Sequence, residues 1–221
     1  RARNKEQMFA LDLLMDPTIE VVSLVGKAGS GKTLMAIAAG LDQVLSNLNI
    51  KDKLKDDTYC RTPYKKLVVS RPVMPMGKDI GFLPGSLEEK MAPWLAPVQD
   101  NLKFLTGDDQ TTLDDYMERG QIEIEALTYI RGRSIANAFI VIDEAQNLTA
   151  HEIKTILTRV GEGTKIVLTG DVEQIDNIYI NEMSSGLTHA VEKMKFNDIT
   201  GHITLKKGER SRVATLAAKI L

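Results

Sequence analysis

Three short stretches carry residue types whose spacing suits phosphate chemistry. Gly26-Lys27-Ala28-Gly29-Ser30-Gly31-Lys32-Thr33 satisfies G-x-x-x-x-G-K-[ST]. Glycines at 26, 29 and 31 allow backbone angles and close approach that a side chain would block, so successive N–H groups can turn inward onto phosphate oxygens. Lys32 is then placed to reach the β- and γ-phosphates, and the Thr33 hydroxyl to ligate magnesium. The second stretch, Phe139-Ile140-Val141-Ile142-Asp143-Glu144-Ala145-Gln146, drives an apolar strand straight into two carboxylates. Asp143 is expected to hold the magnesium through its water shell, and Glu144 to orient and deprotonate the water that attacks the γ-phosphate. In the third, Leu168-Thr169-Gly170-Asp171-Val172-Glu173-Gln174, Gly170 permits a tight turn and Gln174 suits sensing the γ-phosphate. Gln7 lies about a strand and a turn ahead of the first stretch; its amide is either a reader of the adenine edge or an ordinary helix glutamine. The ligands implied are ATP and Mg2+.

The surrounding pattern supplies elements to position these groups. Val21 to Val25 is a short β-branched run, and Leu34, Ile37, Ala38, Leu41, Val44, Leu45 and Leu48 recur at helical spacing behind it. Further strands are predicted at 66–70, 139–142 and 165–169, weaker ones at 122–126 and 202–205, and a closing helix at 213–221. Buried runs alternating with helices predict an α/β fold, mainly a parallel sheet with helices on both faces. Ligands of such sheets bind at the carboxyl ends of the strands, which brings Asp143 and the glycine-rich loop to one crevice.

One domain spanning 1–221 is expected, with an ordered, turn-rich, proline-rich insertion at about 72–97. A polar Lys- and Asp-rich connection runs from Asn49 to Pro63. Within the insertion Trp94 reads as a packing anchor more readily than as a base-stacking platform. The 221 residues carry a net charge of −2 with 26% charged side chains, so no global field draws the protein to a polyanion. Local patches would have to do that. The single cysteine, Cys60, excludes an internal disulfide and a cysteine zinc cluster and suits a reducing cytosol. Apolar runs are strand-sized, which predicts a soluble, cytoplasmic protein. The chain opens with Arg1, as a fragment of a longer protein would.

Together these residues resemble the PhoH-like ATPases, whose RecA-like nucleotide core is related to one lobe of superfamily 1 helicases. The resemblance is carried by Gln7 in NKEQ, GKAGSGKT at 26–33, VVSRPV at 68–73, IGFLPGSLEEKM at 80–91, YIRGRSI at 129–135, VIDEAQNLT at 141–149, LTGDVEQID at 168–176 and GERSRVA at 208–214. It implies ATP hydrolysis coupled to RNA unwinding or remodelling. The GERSR form looks like the branch in which an RNA-cleaving PIN domain precedes the ATPase; no second domain of that kind fits in this sequence.

Related helicases close two lobes over one nucleotide, whereas this chain has a single phosphate loop. A homo-oligomeric ring is therefore expected, a hexamer as the resemblance implies, with a charge-neutralising arginine from the neighbouring subunit. Arg210 and Arg212 are the candidates, and equally surface residues that serve RNA or a salt bridge. Arg71, Arg131 and Arg133, with Lys65, Lys66, Lys206 and Lys207, are candidates to grip a nucleic-acid backbone, or are solvated surface charge. Two other functions stay open: a nucleotide-gated interaction module with slow hydrolysis, and a small-molecule kinase. A glutamate poised to activate water argues against the kinase, because it would waste ATP.

Overall fold

The computed structural model describes residues 2–51, 63–72, 87–130 and 134–208. Helix α1 (Lys5–Met15) precedes strand β1 (Val21–Gly26), which leads into α2 (Lys32–Lys51). Next come β2 (Lys66–Arg71), α3 (Leu87–Leu105), α4 (Gln110–Glu118), β3 (Ile122–Ala126) and the short α5 (Leu127–Ile130). The chain continues through β4 (Ala138–Ile142), one 3-10 turn (Ala145–Asn147), α6 (Ala150–Leu157), β5 (Lys165–Gly170), α7 (Gly186–Met194) and β6 (Thr200–Leu205). The six strands form one sheet in the order β3-β2-β4-β5-β1-β6, and every pairing is parallel. This is the α/β architecture expected. The closing helix expected at 213–221 lies outside the described residues, as do 52–62 and 73–86.

Both faces of the sheet are covered, and the pleat divides the strand residues between them. Leu67, Val69, Phe139, Val141 and Val167 pack with Ala10, Leu14, Ile37, Val44, Val98 and Leu102 of α1, α2 and α3. Their alternating neighbours Val68, Ile140, Ile142, Ile166 and Leu168 pack with Ile153, Ile156 and Leu187 of α6 and α7. All of β4 is buried, so its run of apolar residues serves two cores at once.

The later part of the proline-rich block is helical rather than turn-rich. Pro93 and Pro97 lie inside α3. Both are exposed and four residues apart, so the ladder bonds they remove fall on the solvent side, while fully buried Val98 and Leu102 fasten the helix to the core. Tertiary packing thus overrides a local signal that reads as a series of turns.

Lys165, at the start of β5, is fully buried. Its ammonium donates to the Leu13, Leu14 and Asp16 carbonyls at 3.3, 2.8 and 2.6 Å, closing the C-terminal end of α1 where a cation suits the helix dipole. Burial pushes the group down from 10.5 to about 8, against a smaller opposing effect of Asp16. Between pH 8 and 10.5 the unfolded chain keeps a proton that the folded chain has released, so this group makes stability rise with pH across that window. Lys165→Met is expected to lower the unfolding free energy by about 1–3 kcal/mol, through loss of the charged donor to these carbonyls, of which Leu14 and Asp16 keep only the longer bonds from Gln43 Nε2 and the Ile19 N–H, at 3.2 and 3.3 Å. Urea denaturation at pH 7.5 and pH 10 should show the gap between wild type and variant widening at the higher pH.

Because all strands run the same way, Gly26, Arg71, Ile142, Gly170 and Leu205 end on one edge of the sheet. Register sets their relative heights. Ser70 stands opposite Ile142, Ile142 opposite Leu168, and Thr169 opposite Leu24. One step beyond Ile142 therefore places Asp143 beside Thr169, and one step beyond Ser70 places Arg71 beside the two carboxylates. Among the described residues, no helix is long and apolar enough to cross a membrane.

Candidate active site

At the end of β1 the chain folds back over residues 27–31 before α2 begins at Lys32. Gly29 and Gly31 adopt φ of 79° and 87°, left-handed angles that L side chains rarely tolerate, and Ser30 N–H closes the turn on the Lys27 carbonyl at 3.1 Å. The Lys32 ammonium, nearly buried, donates to the Gly26 and Lys27 carbonyls at 2.7 and 3.3 Å and so spans the mouth of its own loop. Ser30 Oγ is buried there with no hydrogen-bond partner among the described residues. The Ala28 N–H already donates to an oxyanion, the Asp171 carboxylate, at 2.7 Å. Left-handed glycines, an inward N–H holding an oxygen anion, a lysine across the opening and an orphaned hydroxyl suit a chain of phosphates.

Gln7 holds this loop from the other side. Its Nε2 donates to the Ser30 carbonyl at 3.0 Å and its Oε1 accepts from the Arg3 N–H at 2.8 Å. The amide expected to read adenine is thus bonded to protein at both ends. It is 6% exposed rather than the ordinary exposed glutamine of the alternative. Between α1, the loop, α2 and the end of α3 lies a cavity of about 690 Å³, lined by Gln7, Leu11, Gly31, Leu34 and Phe104 among others. Mostly apolar with a polar rim, it has the size and chemistry of a small-molecule site.

At the acid end, Asp143 is 4% exposed and its Oδ1 accepts from both Thr33 Oγ1 and Thr169 Oγ1 at 2.7 Å. Its N–H donates to the Ser70 carbonyl at 2.8 Å, which fixes the carboxylate from β2 while Thr169 fixes it from β5. The donor set fits magnesium: a hydroxyl and a carboxylate brought together are the hard oxygen donors that this ion takes, and Thr33 and Asp143 would hold it.

Glu144 has φ 54° and ψ 37°, a left-handed backbone that costs a non-glycine residue about 1–3 kcal/mol. Its Oε2 accepts from Gln146 Nε2 at 2.5 Å, and its Oε1 faces the Arg71 guanidinium at 3.5 Å. Arg71, expected on a nucleic-acid surface, is therefore placed within the carboxylate cluster.

Gln146 and Asp171 are the site residues that the sequence reading passed over. Gln146 is fully buried, and besides Glu144 it donates to the Gln174 carbonyl at 2.8 Å and accepts from the Asp171 N–H at 3.1 Å, tying the β4 turn to the β5 turn. Gly170 makes room for it. A Cβ there would stand 2.6 Å from Gln146 Oε1 and 2.5 Å from Leu187, so this glycine is needed for close approach rather than for the tight turn expected. The available signal was the amide following DEA. Asp171, through its grip on Ala28 N–H, joins β5 to the phosphate loop, while the Lys27–Glu173 ion pair above it, at 3.0 Å, is exposed and worth about 0–1 kcal/mol. The Gln174 side chain is exposed at the outer rim of this cluster.

Lys66 is paired with Glu123 at 2.7 Å, and the backbone N–H groups of Lys206 and Lys207 donate to Glu6 at 2.7 and 3.4 Å. Arg131, Arg133, Arg210 and Arg212 lie outside the described residues.

The sequence pattern of the family described as PhoH-like protein matches residues 1–221. The chain belongs to the PhoH-like family. It is 53% identical over 223 residues to Protein PhoH2 of Bacillus subtilis, covering 100% of this chain and 47% of that protein. To Protein PhoH2 of Mycolicibacterium smegmatis it is 41% identical over 222 residues, again 100% of this chain and 47% of the relative. The PhoH-like chain thus spans about half the length of these curated relatives. Among solved structures it is similar to the large terminase from the thermophilic bacteriophage D6E, with a TM-score of 0.50 at 12% identity over 99% of this chain and 50% of the terminase. That likeness shows the fold. The loop at 26–33, the acid strand β4 and the parallel sheet together make this PhoH-like chain a P-loop NTPase.

Proposed function

We propose that this chain binds and hydrolyses Mg-ATP and couples hydrolysis to RNA unwinding or remodelling. In this reading 1–221 is one cytoplasmic ATPase domain that works as a homo-oligomeric ring, a hexamer, and the longer protein carries an RNase domain upstream. The observation that carries the hydrolytic part is the contact of Thr33 Oγ1 with Asp143 Oδ1 at 2.7 Å, which joins the phosphate loop to the acid strand with Glu144 one residue on. Lys32 exchanges the Gly26 and Lys27 carbonyls for β- and γ-phosphate oxygens, while residues 26–31 cradle the chain of phosphates. Thr33 and Asp143 hold the magnesium, whose charge, when it is bound, neutralises the oxygens of the transferred group. Glu144 orients the attacking water and accepts its proton, and Gln174 meets the γ-phosphate from the β5 turn. The cavity of about 690 Å³ takes the base and ribose, with Gln7 on the side of the loop. A neighbouring subunit supplies the cation that completes the site, from Arg210 or Arg212.

The RNA part rests on the resemblance and on Arg71, Arg131 and Arg133, which would grip backbone phosphates. A nucleotide-gated module with slow turnover is the second reading, favoured by one observation: both oxygens of Glu144 are already engaged. Phosphate release measured with and without single-stranded RNA separates the two. The motor requires stimulation, together with binding that weakens steeply between about 50 and 200 mM salt; turnover indifferent to RNA leaves the gated module.

A further inference from the structure

We propose that Arg71 restrains Glu144 in a non-productive pose, and that a nucleic-acid phosphate releases it by drawing the guanidinium away. The idea rests on the proposed role of Glu144 as the base and on the proposed binding of RNA.

Register explains why Arg71 is available for this. It is the last residue of β2, one step past Ser70, whose partner across the sheet is Ile142 and whose carbonyl accepts the Asp143 N–H at 2.8 Å. The guanidinium therefore leaves β2 at the height of the carboxylates and meets Glu144 Oε1 at 3.5 Å. The other oxygen, Oε2, accepts from Gln146 Nε2 at 2.5 Å. Gln146 is itself locked, because its amide also bonds the Gln174 carbonyl and the Asp171 N–H. Each carboxylate oxygen thus has a donor against it, and the pair together fixes the direction in which the remaining lone pairs point.

These two donors differ in how firmly they hold. Gln146 is fully buried, whereas the Arg71 side chain keeps 23% of its exposure and its contact is long for a charge-assisted bond. Arg71 is the partner that can leave. A guanidinium binds a phosphate diester through two parallel bonds, a better match than its single long contact with Glu144, so a nucleic-acid strand along the ends of β2 and β4 can outcompete the carboxylate. Arg71 is then a positioning residue. Strand binding and water activation become linked through one side chain.

The test compares wild type, Arg71→Ala and Arg71→Lys in steady-state ATP turnover, with and without a single-stranded oligouridylate. Arg71→Ala is expected to raise kcat without RNA by about two- to fivefold, the factor a weak, partly exposed ion pair represents, with little change in KM for ATP. Its ratio of stimulated to basal rate should fall toward one. Arg71→Lys, which keeps a charge, should lie between the two. A fall in basal kcat for both variants, with unfolding temperatures like wild type, would show that Arg71 serves the nucleotide directly and would overturn the proposal, as would an unchanged basal rate with stimulation intact. If Arg71→Ala does not fold, Arg71→Lys and the wild-type basal rate at rising salt carry the test: screening should raise the wild-type rate more than that of Arg71→Lys, and equal responses overturn it. A wild type indifferent to RNA would sink the release by phosphate and the motor reading together, while a faster Arg71→Ala would still establish the restraint.

Discussion

Glu144→Gln is expected to keep ATP bound near wild-type affinity and to lose turnover by about 10²–10⁴-fold, the usual worth of a positioned general base. The groups that would hold nucleotide and magnesium, Lys32, the 26–31 loop, Thr33 and Asp143, form a bonded set of their own that Glu144 does not enter. An amide has nearly the shape of the carboxylate and can still accept from Gln146, so the left-handed turn and the β4–β5 tie should survive. What it lacks is a lone pair basic enough to take the proton of water. A fluorescent ATP analogue measures the retained affinity and phosphate release the lost rate. Normal turnover in this variant would remove Glu144 from the role of base, whatever its neighbours.

Lys32→Ala should act earlier, by abolishing tight binding of the triphosphate. Lys32 is 9% exposed and its ammonium sits on two loop carbonyls, so it is already largely desolvated and aimed before any phosphate arrives. Removing such a preorganised charge typically costs about 10²–10³-fold at the step where negative charge is stabilised. Because Lys32 begins α2 and Ala is a good helix former, the helix should persist, and thermal unfolding should report it. Loss of nucleotide affinity with an intact fold is the outcome expected; unaltered affinity would mean that the loop does not bind triphosphate.

The residues whose chemistry could be read from the sequence are those that local spacing places. GKAGSGKT between a strand and a helix and DE after a buried run put their side chains on one edge because parallel strands end together. The helices that alternate with these runs were legible for the same reason. What could not be read depends on pairs far apart in the chain. Asp171 and Ala28 are separated by 143 positions, Thr33 and Asp143 by 110, and Gln146 and Asp171 by 25. No periodicity encodes such contacts; they follow from strand order and register. Gln7 shows the same limit: its sequence position leaves an adenine reader and an ordinary helix glutamine both open, and its two bonds to Ser30 and Arg3 arise from how α1 packs. Arg71 read as a nucleic-acid contact or solvated charge, and not as a partner of Glu144, because its sequence neighbours say nothing of β4. Pro93 and Pro97 read as turns because local rules cannot see the core beneath Val98 and Leu102.

The placement of β5 between β1 and β4 acts as a gauge block between the glycine-rich loop and the carboxylate turn. Neighbouring strands sit about 4.7–4.9 Å apart, so two such steps separate the cradle strand from the acid strand by close to 10 Å. Main-chain ladders, which tolerate no side-chain tuning, hold that distance. Mutation can retune the tips, through Thr169 or Asp171, while the calibrated gap between loop and carboxylates stays the same.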